Sequence, residues 1–83
     1  MEARKLVKMA NDIGSFFGAD PDHAAALDGI ASHLKRFWEP RMRRDLLSWV
    51  DGHAGEGLSP VVLEAIRTHR ERIAPPAASP TAP

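Results

Sequence analysis

Leu27-Asp28-Gly29-Ile30-Ala31-Ser32-His33-Leu34-Lys35-Arg36-Phe37-Trp38-Glu39-Pro40 is the stretch that decides the fold. Its apolar residues Leu27, Ile30, Leu34 and Phe37 recur at spacings of three, four and three, the period of a helix with one face turned inward. Small Ala24 and Ala31 lie beside that stripe. Pro40 cannot continue the helix, because it would remove a backbone hydrogen bond and clash with the turn before it. The pattern predicts a helix ending near Phe37, a hinge at Trp38-Glu39, and a new helix that uses Pro40 in its first turn.

The same period holds outward in both directions. Towards the N-terminus, a first helix is expected from about Ala3 to Phe17, with Leu6, Met9, Ala10, Ile13 and Phe16/Phe17 on one face. Gly18 follows as a stop, and Asp20-Pro21 reads as an N-cap with proline at the first helical position. Beyond the hinge, a third helix carries Met42, Leu46, Trp49 and Val50 inward. The segment from Gly52 to Gly57 holds three glycines and reads as a loop. Ser59-Pro60 then repeats the cap-plus-proline start, and a fourth helix follows with Val62, Leu63, Ile66 and Ile73. Strand alternation is nowhere sustained, and there is no internal repeat.

The expected fold is therefore all-α, a small bundle of four short helices. One helical domain is expected over residues 1–73, followed by a Pro/Ala-rich extended tail over residues 74–83. That tail holds four of the seven prolines and no large apolar side chain, so it has nothing with which to bury a core. The folding unit is left with roughly 70 residues, a size at which a single core is marginal without a staple. A disulfide, a thiolate zinc site and a cysteine-held iron–sulfur cluster are all excluded, since the chain has no cysteine. A partner protein is one staple that would serve instead.

Charge is balanced at 11 basic and 11 acidic residues, so the total points to no class of partner. No apolar run approaches the roughly 20 residues of a membrane span. The opening Met-Glu-Ala-Arg-Lys-Leu-Val-Lys lacks the continuous apolar segment of a signal peptide, and a cytoplasmic protein is expected. Catalytic signals are equally sparse. His23, His33, His53 and His69 are well separated and form no His-Glu-x-x-His. The serines and Thr68 lack a nucleophile-elbow context, and Gly55-Glu56-Gly57 has no preceding strand to make it a phosphate loop. The chain is expected to be non-catalytic and to bind no metal or cofactor itself.

Distribution of charge says more than its total. Lys35-Arg36-Phe37-Trp38-Glu39-Pro40-Arg41-Met42-Arg43-Arg44 contains five cations against one acid, a net +4 in a neutral chain whose remainder carries −4. Three readings suit it. In an ordinary helix surface, Phe37 and Trp38 finish the core while Glu39–Arg43 and Arg41–Asp45 pair at i, i+4 spacing, which leaves the other cations unexplained. In a nucleic-acid site, the cations neutralise phosphates and an aromatic stacks on a base. In a protein interface, Trp and Arg are the residue types most enriched at binding hot spots. Trp38 lies about 100° around a helix from Phe37, off the main stripe, where it is free to face outward.

The phrase His33-Leu34-Lys35-Arg36-Phe37-Trp38-Glu39-Pro40-Arg41-Met42-Arg43 resembles the signature of the delta subunit of cytoplasmic NAD-dependent formate dehydrogenases. Leu6-Val7-Lys8-Met9-Ala10-Asn11-Asp12-Ile13 with Phe16-Phe17 resembles that family's opening helix, and Gly57-Leu58-Ser59-Pro60 its final helix start. The likeness runs from about Leu6 to Ile66; the Gly18–His23 loop and the tail stand outside it. It implies a non-catalytic accessory subunit that supports assembly, cofactor insertion or stability of the catalytic subunit in formate oxidation. It implies, too, that the cofactors sit on partners: a bis-pyranopterin guanine dinucleotide centre (bis-MGD) of molybdenum or tungsten and iron–sulfur clusters on the alpha subunit. Flavin (FMN), further clusters and the NAD site would belong to the beta and gamma subunits.

With that resemblance, partner-binding residues are expected at the hinge, namely Arg36, Trp38, Pro40, Arg41, Arg43 and Arg44. Trp38 would fill a pocket on the alpha subunit, and Arg36, Arg41 and Arg43 would pair with its carboxylates or carbonyls. Phe37 and Met42 would hold the hinge to the chain's own core, with Pro40 fixing the angle. No membrane partner is expected. Nucleic acid is the alternative partner, with the 35–44 patch as its binding surface.

Overall fold

The structure is a computed structural model that describes residues 2–75. Those residues form five helices and no strand: α1 Ala3–Phe17, α2 His23–Phe37, α3 Pro40–His53, α4 Pro60–Thr68 and α5 Arg70–Ile73. The fold class expected from the periodicity is present, with five helices in place of four. Its expected fourth helix is interrupted at His69 (φ −114°, ψ 31°), where no glycine or proline marks the break. The expected extended tail lies, beyond Pro75, outside the described residues; Ala74 still packs partly against the core.

α2 is the central element, packed against α1, α4 and α5, while α1 also touches α3 and α4. Its stripe works as the spacing required: Leu27, Ile30, Ala31 and Leu34 are all buried. They meet Leu6 and Ala10 from α1, Leu46, Leu47 and Val50 from α3, Val62, Ala65 and Ile66 from α4, and Ile73 from α5. Each fully buried Leu or Ile contributes about 1.5–3 kcal/mol of transfer free energy, so this one core is the main source of stability. α1 can approach α4 closely because Gly14 presents no Cβ there; one built on it would meet Cγ2 of Val62.

Several local expectations are revised. α2 is capped by Asp22, whose side chain accepts the Ala25 N–H at 3.2 Å, while Asp20 accepts the Asp22 N–H at 2.9 Å. Pro21 therefore lies before the cap and not inside the helix. α3 runs through Gly52 to His53, and the loop turns at Ala54, Gly55 and Gly57, all at positive φ. Ser59 occupies the cap position of α4 but makes no side-chain cap bond. Its N–H donates to Asn11 Oδ1 at 2.8 Å, and Asn11 Nδ2 donates to the Gly57 carbonyl at 2.9 Å. One α1 side chain thus clasps the loop that precedes α4.

Candidate partner-binding site

At the hinge, the structure reverses the expected roles of the two adjacent aromatics. α2 ends at Phe37, and Trp38 takes an extended backbone (φ −90°, ψ 136°). Leaving the helix, the chain turns so that Trp38 enters the core at 6% exposure while Phe37 stands 70% exposed. Trp38 is therefore packed inside this chain, not presented to a partner, and Phe37 does not anchor the hinge to the core. Pro40 is the first residue of α3, as its fixed φ favours.

Arg43 is also internal. It is 8% exposed, and its guanidinium donates to two backbone carbonyls, that of Trp38 at 3.2 Å and that of Ile73 at 3.0 Å. Glu39 is not its partner. Arg43 stands on the inward stripe Arg43, Leu46, Leu47, Val50, all buried. The sequence held this signal, since those positions have the spacing of a buried face; the charge on Arg43 masked it. Arg36, Arg41 and Arg44 are exposed, as is Lys35. None of these four side chains makes an ion pair or hydrogen bond among the described residues.

Phe37 does not stand alone. Its ring lies 4.8 Å from the His33 ring, His33 lies 6.0 Å from Phe17, and Phe17 meets Phe16 edge-on at 5.0 Å. The result is a continuous aromatic strip across the seam of α1 and α2. His33 and Phe37 come together because they are four residues apart on one helix. Phe17 leans onto α2 over Gly29, where any Cβ would strike its ring. Phe16 is 75% exposed and Met9 is also exposed, so the expected inward face of α1 is narrower than its apolar pattern. An open groove of about 290 Å³ runs between Asp12, Ile13, Phe16, Phe17 and His33.

Chemically, the strip offers ring faces and edges, with cations at the α2 end. It has no nucleophile–base pair, and no group of three or more potential metal ligands occurs among the described residues. Away from the strip, hydrogen bonds to Asp51 raise Arg70 above the ordinary arginine range, against a smaller opposing effect of burial. No helix among the described residues is long and apolar enough to cross a membrane. Sequence reasoning missed Phe16 and Phe37 as exposed groups because apolar residues at helical spacing read as core; His33 between them is half-buried.

No curated protein and no solved structure matches the chain. Residues 5–66, which include most of α1, all of α2, the hinge and most of α4, match the family described as NADH-dependant formate dehydrogenase delta subunit FdsD, and the chain belongs to that family.

Proposed function

We propose that this chain is a resident, non-catalytic accessory subunit of an NADH-dependent formate dehydrogenase. It acts in the cytoplasm by supporting assembly, cofactor insertion or stability of the catalytic alpha subunit, and so serves formate oxidation and carbon dioxide reduction. The observation that carries this reading is the family match over residues 5–66. The sequence supports it in a second way: without cysteine the chain has no thiolate for an iron–sulfur cluster. The bis-MGD molybdenum or tungsten centre, the clusters, FMN and NAD are then held by the alpha, beta and gamma subunits.

Expression of the dehydrogenase with and without this chain tests the proposal. The expected result is co-elution at fixed stoichiometry, and a lower yield or metal content of the alpha subunit when the chain is omitted. Equal yield, metal content and activity without it, together with no co-elution, would overturn the reading.

A further inference from the structure

We propose that the aromatic strip of Phe16, Phe17, His33 and Phe37 is the surface by which this chain docks, and that its occupant is an acidic-edged apolar segment of a dehydrogenase subunit. This rests on the accessory-subunit reading above and adds to it the surface and the chemistry of its partner.

Three observations support it. First, Phe16 and Phe37 are 75% and 70% exposed at the two ends of one strip of rings. With Phe17 and His33 between them they make one run of touching rings, at centroid distances of 5.0, 6.0 and 4.8 Å. Burying rings in water-excluding pockets is what hot spots do, so such a patch suits the centre of an interface. Second, each exposed ring packs against a half-buried one, Phe16 on Phe17 and Phe37 on His33, which lowers the side-chain freedom that docking would remove.

Third, charge selects the partner. Arg36 adjoins Phe37 in sequence and is three residues from His33, and it makes no ion pair among the described residues. Lys35, Arg41 and Arg44 are exposed beside the same helix junction. Favourable placement at the C-terminal end of α2 accounts for Lys35 and Arg36 as local stabilisers, but it gives no reason for exposed phenylalanines beside them. Within the groove the acid is Asp12, which pairs with Lys8 at 3.6 Å. An apolar side chain flanked by Asp or Glu complements both features. A second copy of this chain offers in its groove Asp12, which already pairs with Lys8, and so complements the cations less well.

The test is recovery of the chain with the purified dehydrogenase, on co-expression with the other subunits. Phe16→Ala with Phe37→Ala is expected to lower recovery by at least about tenfold. The helical signal and thermal midpoint of the isolated full chain should stay unchanged. Arg36→Glu is expected to lower recovery, Arg36→Lys to keep it, and Arg67→Glu, an exposed position on α4, to leave it intact. Wild-type recovery of the double variant would overturn the docking surface while leaving the accessory role standing. Failure of the wild-type chain to co-elute would overturn the accessory role and this proposal with it. A concentration-dependent dimer of the isolated chain, or its binding to a single-stranded oligonucleotide, abolished by the same double variant, would assign the strip to another occupant and overturn the proposal.

Discussion

The guanidinium of Arg43 donates to the carbonyl oxygen of Ile73 at 3.0 Å and so ties the first turn of α3 to the end of α5. A second bond, from Nε to the Trp38 carbonyl at 3.2 Å, fixes the hinge to the same side chain. Both acceptors lie where water has little access, so losing the donor leaves carbonyls unsatisfied. Arg43→Met should cost about 2–3 kcal/mol in urea unfolding, as expected for buried hydrogen bonds from a charged donor. Arg43→Lys should fall between, since one ammonium cannot reproduce the spread of the guanidinium.

Adjacent aromatics with opposite environments give the next prediction. Trp38→Ala removes a core side chain and should destabilise the fold by about 3–5 kcal/mol. Phe37→Ala, at 70% exposure, should change stability by no more than about 0.5 kcal/mol. Thermal or urea unfolding of the two variants separates them. Equal costs would show that the hinge does not direct Trp38 inward.

Why the two aromatics were misassigned is a matter of where helix phase stops. The stripe Leu27, Ile30, Leu34 is buried as the spacing requires, and adding three more residues reaches Phe37. But Phe37 is the last helical residue, and Trp38 already has extended backbone, so no helical angle applies to it. Pro40 gave the warning, because the residues just before a proline are biased away from helix. Arg43 is hidden for the opposite reason: it shares helical phase with buried Leu46, Leu47 and Val50, but a charged side chain reads as exposed. Carbonyl acceptors at Trp38 and Ile73 exist only after the chain folds, so no spacing in the sequence reveals them. The break at His69 is similarly silent, with no glycine or proline at that position.

Arg70 and Asp51 form a two-pronged pair at 3.0 and 2.7 Å between α5 and the last turn of α3. The pair raises the Arg70 pKa, and a raised pKa on a cation stabilises the fold fully at all pH values below its unfolded value. That contribution is lost only as pH climbs through the folded value, beyond any working range, so Arg70 should impose no pH dependence between about pH 6 and 9. Both side chains are substantially exposed to solvent. Arg70→Gln should therefore cost less than about 1 kcal/mol, shrinking further at high salt. Urea unfolding at two ionic strengths checks this, and a cost as large as that of Arg43→Met would contradict it.

Asn11 gives a way to take apart the clasp between α1 and the loop before α4. Its amide donates to the Gly57 carbonyl at 2.9 Å and its oxygen accepts the Ser59 N–H at 2.8 Å. Asn11→Ala removes both bonds and should cost about 1–3 kcal/mol, because Ser59 is part-buried and its N–H would lack a partner. Asn11→Asp keeps the acceptor for Ser59 but sets a carboxylate against the Gly57 carbonyl, replacing an attraction with a repulsion. It should therefore remain destabilising, although the Ser59 bond survives. Hydrogen exchange distinguishes the two variants: Asn11→Ala should expose the Ser59 amide selectively, while Asn11→Asp should preserve its protection. Loss of Ser59 protection in both would mean that the Gly57 bond, and not the Ser59 bond, holds the loop.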